Sequence, residues 1–387
     1  MKVLGLILEL NPFHHGHAYF ISEAIRKVKP DVTIAVLSSN FSMRGEVMVS
    51  SKWARAKALL EHQVDIILEL PLLATVTSAD YFCFNAVKTL SLMNITDLAF
   101  GVELDDLNIL KKMQAIANLP TYENLLKEYL NKGLSYSGAS NKAIFLLSND
   151  EVIRHNFSLP NNTLALGYLK AIDKINPQIN VTLIKRLANQ YYDKTISDKI
   201  YNSATALREL LKNNQDITPY VPKQTNYYNP KQSEAKLFDY LSYLLMTHEA
   251  SYFTKILGVD EGIENRFLEI VKKARTYDEF ISLAQTKRYP INRIKRLIIN
   301  IVLNISKEST KQNHYYLRLL AFNDNGSKYF KCLPQEIKKQ IITSFKNNDN
   351  YLVKTELKAS KLYSLLVDDK ELYLNEFRNP KGEKNEN

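Results

Sequence analysis

Two histidines three residues apart, His14 and His17, flank a glycine in the run Asn11-Pro12-Phe13-His14-His15-Gly16-His17. In a first helical turn, residues at that spacing share one face. A helix start there presents free backbone N–H groups and the positive end of the helix dipole, which suits phosphate. Gly16 leaves room for a nucleotide to approach the backbone. The chemistry this supports is stabilisation of phosphoryl charge by histidine rather than by a P-loop lysine. A metal site would need a third ligand, and no Glu or Asp sits nearby at zinc-like spacing.

A second group follows much later, Ser203-Ala204-Thr205-Ala206-Leu207-Arg208. Two hydroxyls and a guanidinium can gather at a helix N-terminus, where Arg208 offers a planar fork of donors to phosphate oxygens. Alone it would read as a Ser-capped amphipathic helix. Beside the histidine pair it reads as the other jaw of a nucleotide clamp. Ser38 and Asn40 follow a candidate strand end, where α/β sheets place ligands. Lys52 and Arg55 are three apart and could both face the crevice, which suits a small carboxylate or an RNA backbone; a solvated basic helix face is the plainer alternative. Gly101 at a strand end could let adenine or ribose lie on the backbone, and the Asn161-Asn162 amides could read an adenine edge. Lys287, Arg288, Arg293, Lys295 and Arg296 form the densest basic cluster, with Tyr289 inside it. On a helix they would make a stripe suited to a phosphodiester backbone.

These residues need elements to position them. Short apolar runs, Val3–Leu8, Thr33–Leu37, Asp65–Leu70 and Asp97–Gly101, alternate with helical patterns at 17–28, 51–61 and 79–93. That is the signature of βαβ units around a parallel sheet, a Rossmann-like α/β fold. Further helices are expected at 105–117 and 121–131, a loop near the ligand at 133–141, a strand at 181–185 and a mobile loop at 187–202. After residue 215 the proline-punctuated connector gives way to helical patterns at 233–246, 261–274, 277–286, 291–305, 335–346 and 351–366. The expected organisation is therefore a catalytic domain over 1–215, a mostly α-helical domain over 216–377 that would carry RNA, and a disordered tail over 378–387.

The chain has 387 residues, a net charge of +10 and 45% hydrophobic residues. The charge suits an anionic partner or simply a lysine-rich solvated surface. Its two cysteines, Cys83 and Cys332, lack paired spacing and argue for a reducing compartment. No segment approaches ~18 uninterrupted apolar residues, and the start reads as a buried strand rather than a leader. A cytoplasmic protein with no membrane partner is the expectation; oligomeric state is not indicated.

The chain start is similar to nucleotidyltransferases with the HIGH-type signature, and Ser203-x-Thr205-x-x-Arg208 resembles their second phosphate-binding motif. Over its length the chain resembles the bacterial tRNA(Met) cytidine acetate ligase family. The resemblance rests on Asn11–His17, Ser38-x-Asn40-Phe41-x-x-Arg44-Gly45-Glu46, Lys52-Trp53-x-Arg55-Ala56, Val64-Asp65…Glu69-Leu70-Pro71, Phe100-Gly101, Pro160-Asn161-Asn162, Ser203–Arg208 and Thr286-Lys287-Arg288-Tyr289, in order from residue 1 to about 300. It implies a two-step reaction. Acetate attacks the α-phosphate of ATP, giving acetyl-adenylate and pyrophosphate, with Mg²⁺ bridging the phosphates. The wobble cytidine of elongator tRNA(Met) then takes the acetyl group on N4. It implies an ATP site over Ile7-Leu8-Glu9-Leu10-Asn11-Pro12-Phe13-His14-His15-Gly16-His17-Ala18-Tyr19-Phe20, with further contacts from Gly101, Asn161, Asn162 and Arg186. Ser203, Thr205 and Arg208 would hold the β- and γ-phosphates, and His14 and His17 would act on the transition state. The chain departs from the family pattern at His15, Ser39, Met43, Val102 and Tyr192, none of them a phosphate ligand. A cofactor adenylyltransferase acting on a nucleotide or pantetheine, and a non-catalytic RNA-binding protein, are the competing readings.

Overall fold

The apolar run at the chain start forms β1 (Val3–Leu8), buried almost throughout, as expected of a strand covered on both faces. The computed structural model describes residues 1–186, 202–222, 226–311, 316–380 and 382. With β2 (Val32–Ser38), β3 (Ile66–Leu70), β4 (Asp97–Val102), β5 (Asn180–Lys185), β6 (Leu317–Phe322) and β7 (Ile341–Ile342), β1 builds one sheet in the order β5-β4-β1-β2-β3-β6-β7. The first five strands pair in parallel. β1 lies between β4 and β2, so the strand order reverses beside it. The carboxyl ends of β1 and β4 therefore open on a crevice of the kind that binds ligands in open α/β sheets.

Helices cover both faces. His15–Val28 and Lys52–Leu60 pack on one through Ile21, Ala24, Ala56 and Leu59; Ala79–Leu92 and Pro160–Ile175 pack on the other through Phe82, Val87, Leu169 and Ile172. A separate core joins the helices Pro230–Thr247, Ile263–Val271, Tyr277–Ala284, Ile291–Val302 and Tyr351–Leu366. The Rossmann-like sheet followed by helices is thus as expected.

Three local expectations are corrected. The sheet does not end near residue 215: β6 joins β3 antiparallel, from Ile66↔Phe322 to Glu69↔Arg318. The 335–346 pattern is only a short helix, Gln335–Lys338, followed by β7. The polar stretch 133–141 enters a helix at Tyr136, capped by Ser135, because its small residues pack against the neighbouring helix Pro120–Asn131. The expected loop at 187–202 lies outside the described residues except for Asn202, as do 381 and 383–387 of the expected tail.

The two ends of the chain meet in a buried ionic cluster. Lys52 Nζ pairs with Glu69, with Glu376 at 2.6 Å and with Glu356 at 3.8 Å. Glu356 accepts from the Ser39 hydroxyl and from Leu72 N at 2.7 Å. Arg318 Nη2 donates to Glu376 O at 3.1 Å. Burial lowers the affinity of Lys52 for its proton, but the three carboxylates more than offset this and raise its pKa. Burial, reinforced by Glu69, pushes Glu356 up to about 8.

Candidate active site

Leu10 reverses the chain after β1 with φ 60°, a left-handed conformation costing a bulky residue ~1–2 kcal/mol. Its side chain is fully buried, which holds the turn. Arg55 braces the same turn. Its Nη1 donates to Glu9 O at 2.7 Å and Ser38 O at 2.9 Å, its Nε to Ser50 O at 3.2 Å, and its Nη2 to Ser39 O.

The helix then begins at His15, two residues earlier than the periodicity alone indicates. His14 is its N-cap, and His14 and His17 form a reciprocal capping box. Gly16 N donates to His14 Nδ1 at 3.1 Å, and His14 N donates to His17 Nδ1 at 3.4 Å. A backbone amide can only donate, so both δ nitrogens are unprotonated. The proton of each neutral ring is therefore on Nε2, a donor available to the crevice. Burial, and secondarily Arg186, hold His17 down at about 3; burial and then His17 keep His14 well below its usual value. The rings lie 3.8 Å apart between centroids. Gly16 lines the crevice and has a second role. A Cβ there would come within 2.9 Å of His14 Cε1, so the glycine admits the folded-back imidazole.

This gives a stability prediction for the ligand-free protein. Unfolding lets both rings return to a pKa near 6.5. Below that pH the unfolded state binds more protons, so stability is fully present above 6.5 and is lost as pH falls toward 3. Between pH 7.5 and 5.5 the wild type should lose about 2–3 kcal/mol more than a His14→Gln/His17→Gln double variant, measured by urea unfolding.

The crevice has two compartments. One is mostly apolar, lined by Ile7, Phe82, Phe100, Gly101, Leu164 and Tyr168 among others; the other is polar, lined by Asn11, Ser42, Arg44, Glu46, Thr205 and Arg208 among others. Glu9, His14, His17, Arg186 and Ser203 line both and form the waist between them. Ser203 caps the helix Ala204–Lys212 by accepting from Ala206 N at 3.1 Å, so that helix points its N-terminus into the polar compartment. Arg208 Nη1 donates to Asn11 O at 2.7 Å, and Nη2 reaches Thr205 Oγ1 at 3.3 Å and Glu46 Oε2 at 3.3 Å. Asn11 accepts from Val49 N at 2.8 Å, while its buried Nδ2 has no partner among the described residues.

Asn161 and Asn162 divide their roles. Asn162 is fully buried; its Oδ1 accepts from Glu103 N and Leu104 N at 3.1 and 3.2 Å. It shapes the loop after β4 and does not line the crevice. Asn161 lines the apolar compartment, donates to Glu103 at 2.5 Å and accepts from Arg186 Nη1 at 3.3 Å.

The pocket expected from Ser38, Asn40, Lys52 and Arg55 is not formed. Lys52 and Arg55 do share a helix face, but that face meets the ionic cluster and the β1 turn, and both are at most 1% exposed. Asn40 donates to Ser360 Oγ at 2.9 Å, and Ser38 donates to Glu9 at 3.3 Å.

The basic cluster also divides. Lys287 and Arg288 are exposed, and Arg293 stacks on Tyr289 with Cζ 4.2 Å from the ring centroid. Lys295 instead bonds Glu46 at 3.1 Å, and Arg296 Nη1 donates to Met43 O at 3.4 Å. Both fasten the helix Ile291–Val302 to the turn that carries Glu46. Gly45, at φ 78°, makes that approach possible, since a Cβ would sit 2.5 Å from Arg296 N. Burial raises the Glu46 pKa, but Arg208 and Lys295 bring it down to about 2. Glu46 stands in a sequence motif that by itself assigns it no role, and Phe82, Leu164 and Tyr168 are pocket walls that the sequence does not single out. The signal available for the last two was their position one and two turns beyond Asn161 on one helix.

Among the described residues no group of three or more His, Cys, Asp or Glu side chains is placed to hold a metal ion. None of the described helices is long and apolar enough to cross a membrane.

A family model described as HIGH Nucleotidyl Transferase matches residues 1–376. A curated relative from Staphylococcus aureus (strain NCTC 8325 / PS 47), named tRNA(Met) cytidine acetate ligase, is 34% identical over 372 residues, covering 95% of this chain and 96% of its own. The crystal structure of Thermotoga maritima TmcAL in its apo form I superposes with a TM-score of 0.87 at 28% identity, covering 99% of this chain and 100% of that one. Its form II, bound with alpha-thio ATP, gives 0.85 at 27% identity with the same coverage.

Proposed function

The chain belongs to the tRNA(Met) cytidine acetate ligase family of HIGH nucleotidyl transferases, and from that premise we propose that it activates acetate with ATP and acetylates N4 of the wobble cytidine of elongator tRNA(Met). The observation that carries this reading is the convergence on one crevice of two neutral imidazoles with Nε2 protons, Arg186, Arg208 and the helix N-terminus at Ser203. That is a donor set for a triphosphate.

Carboxylate attack on the α-phosphorus builds charge on the phosphoryl oxygens and on departing pyrophosphate. Preorganised donors stabilise that charge, and side chains need do little covalent chemistry. His14 and His17 serve the α-phosphoryl group at the waist. Arg208, Thr205 and Ser203 serve the β- and γ-phosphates in the polar compartment. Gly101 and Asn161 serve the nucleoside. Glu46 keeps Arg208 and Lys295 oriented across the mouth. Mg²⁺ would enter this site on the triphosphate, since no group of three or more His, Cys, Asp or Glu side chains among the described residues is placed to hold it.

The deciding experiment is mass spectrometry of tRNA incubated with the protein, ATP and labelled acetate. Labelled N4-acetylcytidine is the expected product; its absence, with adenylation of a nucleotide or pantetheine instead, overturns the reading.

Lys287 and Arg288 are the exposed members of the basic cluster and are proposed to meet tRNA phosphates. Replacing both by Gln should weaken tRNA binding about tenfold at low salt. The slope of log affinity against log salt should become shallower by about 1–2, measured by filter binding at several salt concentrations. Acetate-dependent pyrophosphate exchange without RNA should not share the loss.

A further inference from the structure

The donors described above serve the phosphates, but acetyl transfer to an amine has a further need. The lone pair of a cytosine N4 amine is delocalised into the ring, so attack on a carbonyl is assisted by a group that accepts its proton. Most side chains at the waist and mouth cannot do this. Guanidinium groups only donate. The His14 and His17 δ nitrogens already accept backbone N–H groups. Both Glu46 oxygens face cations.

Glu9 is placed differently. It stands immediately after β1 and lines both compartments, beside His14 and His17. Met43 N donates to its Oε1 at 2.6 Å and Ser38 Oγ donates to the same oxygen at 3.3 Å. Among the described residues no hydrogen bond lands on Oε2. Two donors thus hold the carboxyl in one orientation and leave its other oxygen for what enters the waist. Burial raises the Glu9 pKa against the opposing Met43 hydrogen bond, which strengthens it as a base. A carboxylate here also repels phosphate, so it gives ATP binding no help.

We propose that Glu9 is a catalytic residue of the second half-reaction, its Oε2 accepting a hydrogen bond from the N4 amine of an unpaired cytosine. As the N4–carbonyl carbon bond forms, Oε2 takes the amine proton. The bond from the acyl carbon to the phosphate oxygen breaks, and AMP leaves with that electron pair. The same contact selects the base, because uracil presents a carbonyl acceptor where cytosine presents a donor. This proposal rests on the acetate-ligase reading.

The test is Glu9→Gln, which retains an oxygen for Met43 N and Ser38 and turns the other oxygen into a donor. Two rates are compared on one preparation: acetate-dependent ATP–pyrophosphate exchange without RNA, and single-turnover acetyl transfer to tRNA from acetyl-adenylate formed on the enzyme. The expected result is a transfer rate reduced about a hundredfold more than exchange, with ATP binding as tight as in the wild type or tighter. Glu9→Asp, which keeps the carboxylate, should recover part of the transfer. Equal loss of both half-reactions, or loss of neither, overturns the assignment while the acetate-ligase reading stands. A wild-type protein with no acetate-dependent exchange overturns both.

Discussion

Replacing His17 by alanine should lower acetate-dependent pyrophosphate exchange about a thousandfold, because it removes a preorganised donor at the phosphoryl group and loosens its neighbour. The His17 ring both presents Nε2–H to the crevice and accepts the His14 amide through Nδ1. Without it the cap weakens and the His14 ring loses its partner 3.8 Å away. The lost cap should cost only about 1 kcal/mol of folding stability, too little to explain such a fall in rate. The loss should therefore appear in the maximal rate, with ATP affinity changed far less. Exchange at near-normal rate in a folded His17→Ala protein would remove His17 from the transition-state role.

The second large effect concerns stability. Lys52→Met keeps much of the side-chain volume but leaves Glu69, Glu356 and Glu376 without their shared cation in a site excluded from water. Breaking a buried pair from one side typically costs 3–5 kcal/mol, so the urea midpoint should drop steeply and soluble yield with it. A pH series distinguishes this from a packing defect. Glu356 and Glu376, whose pKa values burial already raises, lose the Lys52 charge that opposes that rise, so both hold protons more tightly still in the folded variant. Stability conferred by such groups is present at low pH and lost as pH rises through the folded value. The variant should therefore lie closer to the wild type at pH 5 than at pH 8; a deficit independent of pH would point to packing instead.

The physical reasons why parts of this site are readable from sequence differ from residue to residue. His14 and His17 are legible because strand, turn and helix start are all local, and a spacing of three on a helix fixes a shared face. Lys52 and Arg55 obey the same rule, and the rule is correct: they do share a face. What that face meets is decided by tertiary packing, the β1 turn for Arg55 and, for Lys52, Glu69 with Glu356 and Glu376 from far along the chain, which no local period reports. β6 was hidden for the same reason. Leu317–Phe322 has the apolar character of a buried strand, but its partner β3 and its antiparallel sense arise from tertiary pairing. Phe82, Leu164 and Tyr168 look like core residues; Phe82 and Tyr168 are, Leu164 packs against them half-buried, and all three border a cavity.

The pairing of β3 with β6 has a consequence for synthesis. β3 leaves the ribosome long before the strand that completes its edge. At ~5–20 residues per second, the roughly 250 residues between them take on the order of ten seconds or more. Through that interval the nascent chain carries the open, apolar edge of Ile66–Leu70, and Lys52 waits still longer for Glu376. The first five strands can therefore assemble on the ribosome only as an unfinished sheet. The newborn protein is most exposed to aggregation and most in need of a chaperone during this window, and it closes only as the last helices emerge.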